Sequence, residues 1–332
     1  MKKIAPIWAY FALTLILIPG CVSFPDSLEG SIAPSLEATA IKSIDGRSLS
    51  YATWQADDPV AIIIAVHGMN DYSNTFSLAG AWWAKEKNIT TYAYDQRGFG
   101  QSETPGIWPG SGVLQEDLRA AIAAITREHP EQPIYVIGHS MGASVVLAAM
   151  ANDPLDVDGV VLAAPGVWGG SQLPIPYRLA VNWAAAVSPG KTLTGERAVR
   201  QATDNIPILR QMQADPLVIK GTRIDSVLGV TRIMGEAYDA TDEVGGNILF
   251  LYGEKDEVIP IKSMKRAANR LCGTVDRRSY QNGWHLLFRD LDAELVWEDV
   301  ATWIEGKKSA DPKNIGGGPA EVSCTGDKPP QI

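Results

Sequence analysis

The sequence predicts an α/β protein with a mostly parallel sheet covered by helices. Strand and helix patterns alternate along the chain, which is typical of βα units. The strand candidates are short, continuous apolar runs such as Ala61 to His67, and such runs indicate strands that are buried on both faces. The chain has 332 residues, of which 45% are hydrophobic, and is therefore long enough to bury a large core.

The first element is a predicted hairpin, because Asp45-Gly46 lies between two β-forming runs within Ile41 to Trp54. After the strand at 61–67, a helical stretch contains Trp82 and Trp83. The remaining elements are predicted in chain order as a strand at Thr90–Tyr94, a helix at Leu114–Arg127, a strand at Ile134–Gly138, a helix at Ala143–Met150, a strand at Val157–Ala164, a strand at Ile248–Tyr252, a helix at Ile261–Leu271, a strand at Arg277–Gln281 and a helix at Glu294–Ile304.

The domain organisation follows from where this alternation stops. Between Pro165 and Gly245 there is no clear βα repeat, and helical patterns, prolines and aromatics indicate an insertion over the sheet. The tail is rich in Gly, Pro and Lys, which predicts irregular structure. We expect a signal peptide at 1–20, a lipidated tether at 21–35, a core made of 36–165 and 246–306, a mainly helical cap at 166–245 and an irregular C-terminal tail at 307–332.

The composition argues against several classes of function. The formal net charge is −9 and the pI is near 5.0, so the bulk of the chain lacks the basic surface of a nucleic-acid-binding protein. Three cysteines and four histidines leave little material for a zinc cluster, and no metal-ligand spacing appears in the sequence. We therefore expect no metal and no nucleic-acid partner.

The first twenty residues have the layout of a secretory signal. Two lysines precede the apolar run Ile4 to Ile18, and Cys21 follows a small residue, Gly20. A cysteine at this place, with Ile18 three positions before it, resembles the lipobox of bacterial lipoproteins, where the cysteine is acylated and becomes residue one. A plain signal peptide and an uncleaved anchor helix are the alternatives. The apolar run is about fifteen residues, short of the ~20 that span a bilayer.

Acylation of Cys21 would attach the protein stably to a membrane, since each buried CH₂ contributes about 0.8 kcal/mol. Cleavage there leaves 27 positive and 38 negative charges, a net charge of −11, so anionic lipid is expected to repel the body. The stretch Val22 to Pro34 would serve as a tether. We expect a cell-envelope location facing the periplasm. Val22 after the cysteine favours the outer membrane by resemblance to lipoprotein sorting.

The pattern G-x-S-x-G occurs once, at residues 138–142 (GHSMG), between a predicted strand and a predicted helix. In this setting the glycines allow a sharp turn that exposes the hydroxyl of Ser140. The N terminus of the following helix presents amide donors where negative charge develops. Ser140 is therefore the candidate nucleophile, and it needs an adjacent base because a serine at its free pKa is a weak nucleophile.

His285 is the candidate base. Where this type of elbow is catalytic, the acid and then the histidine follow the serine along the chain, and His285 is the only histidine after Ser140. The acid is expected in the loop after the strand that starts at Ile248. Three carboxylates lie in that loop: Glu254, Asp256 and Glu257. Spacing alone does not decide between them; Asp256 is our choice, with the task of orienting His285 and stabilising its imidazolium form.

Two backbone amides are expected to bind the oxyanion, those of Met141 after the nucleophile and of Met69 in the loop at 67–71. We interpret Arg97 as a structural residue that pairs with Asp95 or with neighbouring backbone, with contact to a substrate carboxylate as the alternative. Three tryptophans near the expected mouth of the site are candidates for an acyl pocket, with a core position as the alternative for each: Trp108, Trp168 and Trp284.

Together the motifs resemble the monoacylglycerol lipase and lysophospholipase branch of the α/β-hydrolases. They read H-G-M-N-D at 67–71, D-Q-R-G-F-G at 95–100, G-H-S-M-G at 138–142, G-E-K-D-E-V-I-P at 253–260 and W-H at 284–285, and Asp215-Pro216-Leu217 resembles a cap motif of this branch. The resemblance covers roughly residues 36–306. It implies an α/β-hydrolase fold with a cap, no cofactor, and hydrolysis of single-chain lipid esters through an acyl-enzyme. Acyl transfer, thioester hydrolysis, peptidase action and a non-catalytic envelope binding protein are the alternatives.

The odd number of cysteines is explained if Cys21 carries lipid. Cys272 and Cys324 then remain as a pair, and an exported protein meets an oxidising compartment in which they can be joined. We predict a disulfide that attaches the tail to the body. It would close a loop of about 50 residues, for which the chain-entropy model gives roughly 4 kcal/mol of stabilisation.

Overall fold

The computed structural model describes residues 22–194 and 200–306. The strands in these residues are β1 (Ser35–Leu36), β2 (Ala40–Lys42), β3 (Ser48–Trp54), β4 (Ala61–Val66), β5 (Ile89–Tyr94), β6 (Ile134–His139), β7 (Gly159–Ala163), β8 (Thr192–Thr194), β9 (Gly221–Arg223), β10 (Gly245–Gly253) and β11 (Cys272–Tyr280). The helices are α1 (Ser77–Lys87), α2 (Ser111–Glu128), α3 (Met141–Asn152), α4 (Ile175–Val187), α5 (Ile206–Ala214), α6 (Ile224–Asp239), α7 (Ile261–Arg270) and α8 (Ala293–Ile304). No helix among the described residues is both long and apolar enough to cross a membrane.

Nine of the described strands form one sheet in the order β1-β2-β3-β5-β4-β6-β7-β10-β11. Six neighbouring strands of this sheet pair in parallel: β5, β4, β6, β7, β10 and β11. The strands β1, β2 and β3 form an antiparallel edge, which includes the predicted hairpin. Ile62 and Ile64 of β4 face a core with α2, α3, α6 and α7, whereas Ile63 faces a second core with α1 and α8. Because both faces are covered, every residue of β4 to β7 is buried, as the apolar runs predicted.

The last strand, β11, starts five residues earlier than the sequence predicted, at Cys272 rather than Arg277. Its first residues pair in register with the start of β10, and Gly273 adopts a φ of +79° there. β11 is the edge strand and half of it is only partly buried, so it lacks the continuous apolar run that marks the central strands.

The insertion between β7 and β10 contains α4, α5 and α6, together with a two-stranded antiparallel sheet formed by β8 and β9. The sequence predicted helices here but not the three-residue strands, which are too short to show a period. The C-terminal half of α6 belongs to the main core through Ile233, Met234 and Ala237. The inserted segment is therefore joined to the body along its last helix. The predicted cap at 166–245 does not pack as a separate unit, because part of α6 belongs to the main core.

The segment that precedes β1 is packed onto the body, although its composition predicted a tether. Val22 and Phe24 lie against a small apolar cluster on α4 and α6. The amide of Leu28 donates to a carboxylate oxygen of Glu116, and the amide of Ile32 donates to the carbonyl of Ile44 at 2.9 Å. Two apolar side chains and specific backbone hydrogen bonds thus fix a stretch that its Ser, Pro and Gly content marked as flexible.

The signal peptide, Cys21 and residues 307–332 with Cys324 lie outside the described residues. Their predicted processing, lipidation and disulfide stay predictions.

Arg97 is structural, but its partners are not the predicted ones. Its guanidinium makes two hydrogen bonds to Asp45 at 2.7 and 2.8 Å and two to Asp117 at 2.6 and 3.0 Å. Asp95 instead accepts the amides of Ser73 and Gln101. Burial raises the pKa of the Asp117 carboxyl, while Arg97 acts in the opposite direction. Arg97 therefore joins the β2–β3 hairpin to α2.

Replacing Arg97 with Met is expected to lower the free energy of unfolding by about 3 to 5 kcal/mol, because the buried carboxylate of Asp117 loses its counter-charge. Guanidinium denaturation of the variant and of Arg47→Met measures this. Arg47 is half exposed and pairs with Asp45 and Glu103 at longer distances, so its loss should cost less than about 1 kcal/mol. Equal losses in the two variants would contradict the structural role of Arg97.

Candidate active site

The candidate nucleophile lies at the turn between β6 and α3. Ser140 has φ +52° and ψ −116°, a conformation that is unfavourable for a residue with a Cβ and is held by its surroundings. A Cβ on Gly142 would lie 2.1 Å from the carbonyl oxygen of Val66, and one on Gly138 would lie 2.5 Å from the Cα of Ala143. The glycines of the motif are thus required because β4 and α3 approach the turn so closely.

Three predicted residues form one hydrogen-bonded chain. The hydroxyl of Ser140 lies 2.9 Å from Nε2 of His285, and Nδ1 of His285 lies 2.8 Å from Oδ2 of Asp256. The Asp256 side chain is fully buried and that of His285 is nearly so. With Nδ1–H donating to the carboxylate, Nε2 is free to accept the serine proton. This is the geometry that general-base activation of a hydroxyl requires.

The structure also separates the three carboxylates of the acid loop. Glu254 forms an ion pair with Lys265 at 3.1 Å, and Glu257 accepts the amide of Gln201 at 2.8 Å. Of the three, Asp256 is the one hydrogen-bonded to His285. The choice that spacing left open follows from the turn after β10, which directs one side chain inward and its neighbours outward.

Asp256 is held in its ionised form. Burial by itself would raise its pKa, but the His285 ring and the amides of Ile259 and Val258 outweigh burial and bring the pKa below its usual value. Those two amides donate to Oδ1 at 2.9 and 2.7 Å, so both carboxylate oxygens have partners. A carboxylate fixed in this way can orient His285 and stabilise its protonated form without taking the proton.

A second histidine supports the first. His139 is fully buried, and its Nε2–H donates to the carbonyl oxygen of His285 at 2.9 Å. Burial, and next the nearby His285 ring, lower the pKa of His139 to about 4, so it is neutral at pH 7. The pattern G-x-S-x-G leaves position 139 unspecified, so it did not predict this contact. A histidine inside an otherwise apolar strand end is the signal that would have indicated it.

The loop predicted to complete the oxyanion site lies against the nucleophile. A Cβ on Gly68 would be 3.2 Å from the Cβ of Ser140, which brings the backbone before Met69 alongside the serine. Met141 is the first residue of α3, so its amide belongs to the helix N terminus. His67 orders this loop: Nδ1–H donates to the carbonyl of Gly68 at 2.8 Å, and Nε2 accepts the amide of Gln96 at 3.0 Å.

An ion pair that the sequence did not predict joins the loop at 67–71 to the histidine loop. Nη1 of Arg289 lies 3.0 Å from Oδ2 of Asp71, and Nε donates to the carbonyl oxygen of Thr75 at 3.2 Å. Both charged side chains are buried. Since Arg289 follows His285 by four residues and Asp71 follows Met69 by two, the pair fixes the base relative to the expected oxyanion donors.

The inserted segment is bonded to the same loops. The hydroxyl of Tyr72 donates to Asp215 at 2.7 Å, which gives the predicted cap motif a contact with the oxyanion loop. Nη1 of Arg200 donates to the carbonyl of Glu257 at 2.9 Å in the acid loop, and the amide of Leu286 donates to the carbonyl of Ala202 at 2.9 Å in the histidine loop. The insertion is therefore hydrogen-bonded to the oxyanion, acid and histidine loops, and its movement would change these contacts.

Trp108 has the surroundings of a core residue. It is buried edge-on against Phe24, with ring centroids 6.5 Å apart. Gly229 of α6 packs against its ring so closely that a Cβ there would lie 2.4 Å from the indole. We therefore adopt the core alternative for Trp108.

Trp168 and Trp284 are half-buried. Trp168 lies in the loop after β7 and faces the guanidinium of Arg200 at 5.8 Å. Trp284, beside the candidate base, faces the ammonium of Lys255 at 6.0 Å. These contacts involve the strand ends around the site rather than a substrate, and the pocket role of both residues stays a prediction. Within residues 22–194 and 200–306, no cluster of three or more His, Cys, Asp and Glu side chains is arranged to hold a metal.

Asp290 is a buried carboxyl close to the base. Its Oδ2 accepts the amide of Trp284 at 2.7 Å. Burial raises its pKa from 3.8 to about 6, although the Thr203 side chain and the Trp284 amide act in the opposite direction. The folded state therefore holds this proton more tightly than the unfolded state. The resulting stability is complete below about pH 3.8 and is lost as the pH rises through about 6.

Replacing Asp290 with Asn is expected to raise the free energy of unfolding at pH 7.5 by about 2 to 3 kcal/mol, because the amide needs no proton to be buried. The gain should shrink towards zero near pH 4. Denaturation at both pH values measures it, with the exposed Asp292→Asn as the control. Burial of neutral His139 makes stability depend on pH in the opposite direction, because its pKa is lowered in the folded state. This contribution is the same in wild type and in both variants, so it cancels when each variant is compared with wild type. A gain that does not depend on pH would contradict this prediction.

Comparison with known proteins finds a family model, curated relatives and a solved structure that are similar to this chain. A family model described as serine aminopeptidase, S33, matches residues 57–292, a range that contains Ser140, Asp256 and His285. A monoacylglycerol lipase of Mycolicibacterium smegmatis is 24% identical over 268 residues, which cover 79% of this chain and 94% of that protein. A monoglyceride lipase of Mus musculus is 24% identical over 275 residues, which cover 80% and 89%. Among solved structures, a soluble variant of monoglyceride lipase from Saccharomyces cerevisiae in complex with a substrate analogue matches with a TM-score of 0.70 at 14% identity. The match covers 87% of this chain and 100% of the yeast chain, and it shows that the two have the same fold.

Proposed function

Because the chain belongs to the α/β-hydrolase family described as serine aminopeptidase, S33, we propose that it hydrolyses the carboxylic esters of monoacyl lipids. It is a serine hydrolase of the carboxylic ester hydrolase type, and a monoacyl lipid is the substrate that we propose for it. The observation that carries the proposal is the hydrogen-bonded chain of Ser140, His285 and Asp256.

The proposed reaction has two halves. Oγ of Ser140 attacks the ester carbonyl while Nε2 of His285 takes the hydroxyl proton and then gives it to the leaving alcohol. The amides of Met69 and Met141 bind the oxyanion of the tetrahedral intermediate, a contribution of about 3 to 4 kcal/mol per donor in such sites. Water then attacks the acyl carbon while Nε2 of His285 takes its proton. The bond from the acyl carbon to Oγ breaks, His285 returns the proton to Oγ of Ser140, and the fatty acid leaves. Asp256 keeps its charge throughout and stabilises the imidazolium.

The choice of monoacyl lipids is supported by two kinds of observation. Two relatives, matched over 94% and 89% of their own length, are named monoacylglycerol lipase and monoglyceride lipase. The inserted segment also carries several exposed apolar side chains, as expected where an acyl chain must leave a lipid phase. The family description favours peptidase action as the second candidate, and an aminopeptidase would need a carboxylate placed for the free α-amine.

We further propose that the mature protein is a lipoprotein of the cell envelope, acylated at Cys21 and oriented towards the periplasm. The support is the charged and apolar layout of residues 1–20 followed by cysteine. Mass spectrometry of the protein isolated from membranes tests this: an acylated N-terminal peptide that begins at Cys21 is expected, and a chain that still carries Lys2 and Lys3 would refute it. The same experiment, run without reduction, tests the predicted bridge between Cys272 and Cys324.

A substrate panel tests the proposed activity. Monoacylglycerols and lysophospholipids of increasing chain length are compared with p-nitrophenyl acetate and an aminoacyl p-nitroanilide. A buried CH₂ contributes about 0.8 kcal/mol, so each added CH₂ should raise kcat/KM up to about fourfold until the acyl pocket is filled. Faster cleavage of the anilide than of every ester would support the peptidase instead. A free lipid alcohol in the assay distinguishes transfer from hydrolysis, because transfer yields a new ester.

A further inference from the structure

The amide of Met69 belongs to a peptide unit whose direction is fixed from one side by the buried His67. Nε2 of His67 accepts the amide of Gln96 at 3.0 Å, so the ring proton is on Nδ1, and Nδ1–H donates to the carbonyl oxygen of Gly68 at 2.8 Å. In a trans peptide unit the C=O and the N–H point in opposite directions. Because the carbonyl of Gly68 points at the His67 ring, the N–H of Met69 points away from that ring.

Asn70 fixes the same loop from the other side, directly after Met69. Its φ is +64°, in the left-handed region that glycine and asparagine tolerate best. The backbone carbonyl of Asn70 accepts the amide of Ile219 at 2.9 Å, and Nδ2 of its side chain donates to Oγ1 of Thr222 at 2.7 Å. Both partners lie in one stretch of the insertion, residues 215–222. Glycine would take this φ at lower cost, so the backbone does not explain the asparagine, whereas its contact with Thr222 does.

The 215–222 segment is held in place by contacts of its own. Thr222 belongs to β9, which pairs with β8 and leads directly into α6. At the other end, Oδ1 of Asp215 accepts the amide of Leu217 at 2.9 Å, and Oδ2 accepts the hydroxyl of Tyr72 at 2.7 Å. Burial, and next the Asp215 carboxylate, raise the pKa of Tyr72, so this hydroxyl stays a donor at neutral pH. The oxyanion loop therefore lies against a part of the insertion that is itself fixed.

The hydrogen bonds of Asn70 are not what attaches the insertion to the body. The C-terminal half of α6 does that, because its apolar side chains belong to the main core. The bond between Asn70 and Thr222 joins two polar side chains that are only partly buried. Such a bond contributes little to stability compared with a packed helix. What it determines is the position of the loop that carries Met69.

We propose that Asn70 is a positioning residue for the Met69 amide, through which the 215–222 segment sets the direction of an oxyanion donor. The inference rests on the proposed reaction, in which that amide binds the oxyanion. The charge on this oxygen develops only on the way to the tetrahedral intermediate, so a misdirected N–H weakens the transition state and leaves the binding of the ester unchanged. A displacement of about 1 Å at such a group can cost about 10²-fold in rate. Disturbing Asn70 should therefore lower kcat and leave KM unchanged.

Thr222→Val tests this from the insertion, because it removes the hydrogen bond without touching the oxyanion loop. We expect kcat for p-nitrophenyl acetate to fall about tenfold, less than the loss of a whole donor would cost, with KM within about twofold of wild type. Thr222→Ser keeps the hydroxyl and should stay within about twofold of wild type in both constants. Thr192→Val is the matched control, since it makes the same change at an exposed position of β8, the other strand of the small sheet. Its kcat should also stay within about twofold of wild type.

Asn70→Gly removes the same hydrogen bond from the loop and keeps the left-handed φ accessible. Combining it with Thr222→Val should slow the enzyme no further than Asn70→Gly alone, because the two side chains act through one contact. Falls in kcat that multiply in the double variant would overturn the proposal. So would a Thr222→Val variant with the kcat of wild type, or one whose loss Thr192→Val matches.

A transition-state analogue separates positioning from a general loss of structure. In a trifluoromethyl ketone, Oγ of Ser140 adds to the carbonyl carbon, the hydroxyl proton goes to His285, and the carbonyl oxygen becomes an oxyanion. The corresponding methyl ketone remains largely a ketone when bound. Thr222→Val should raise the Kd of the trifluoromethyl ketone about tenfold and leave that of the methyl ketone unchanged.

Equal changes in the two Kd values, or a change in neither, would overturn the role of Asn70. A wild type that binds the trifluoromethyl ketone but hydrolyses no ester would refute the proposed function instead. The two Kd values would then still decide whether Asn70 positions the donor.

Discussion

Replacing Ser140 with Ala is expected to lower kcat for ester hydrolysis by about 10⁶, because the acyl-enzyme can no longer form. The hydroxyl is the only group of the hydrogen-bonded chain that can attack a carbonyl, and His285 then has no proton to take. A residual rate of about 10³ over water should remain, because the amides of Met69 and Met141 still bind the oxyanion. The variant should fold normally, since alanine fits the conformation that Ser140 already holds.

Active-site labelling with a fluorophosphonate checks the same prediction without a substrate. Wild type should be labelled and Ser140→Ala should not. Ser144→Ala is the control: Ser144 lies one turn along α3, and its hydroxyl donates to the carbonyl of Gly166 at 2.6 Å instead of facing His285. This variant should still be labelled. Labelling that survives in Ser140→Ala would remove Ser140 from the mechanism.

The sheet and two members of the triad were accessible from the sequence because local patterns specify them. The buried strands appear as apolar runs, and the turn that bears Ser140 needs glycines that are recognisable in five residues. His285 followed by elimination, which works only because the chain has so few histidines. Asp256 could not be separated from Glu254 and Glu257, since backbone geometry after β10 decides which carboxylate faces inward.

The features that could not be predicted depend on contacts between distant parts of the chain. Asp71 and Arg289 pair across more than 200 residues, and each alone looks like an ordinary loop charge. Arg97 was assigned to a neighbour in sequence, whereas its partners come from the hairpin and from α2. The packed segment at Val22 was interpreted as flexible from its composition, because composition does not reveal the cluster on α4 and α6 that receives Phe24.

Replacing Asp256 with Asn is expected to lower kcat by about 10⁴, and the hydrogen bonds of Asp256 explain why. Oδ1 accepts the amides of Val258 and Ile259, so an asparagine must keep its carbonyl oxygen there. Its NH₂ group then occupies the place of Oδ2, 2.8 Å from Nδ1 of His285. Because two donors cannot face each other, His285 must carry its proton on Nε2. In that tautomer Nε2 donates and cannot take the proton of Ser140.

Glu254→Gln is the matched control, because it removes one charge from the same loop but breaks only the exposed ion pair with Lys265. Its kcat should stay within about twofold of wild type. Steady-state kinetics on one soluble ester, with unfolding curves for both variants, separates a lost orientation from a lost fold. A fall of about 10⁴ in Glu254→Gln with an active Asp256→Asn would assign the acid to Glu254. A small effect in both variants would mean that the backbone carbonyl of His285, held by His139, is enough to orient the base.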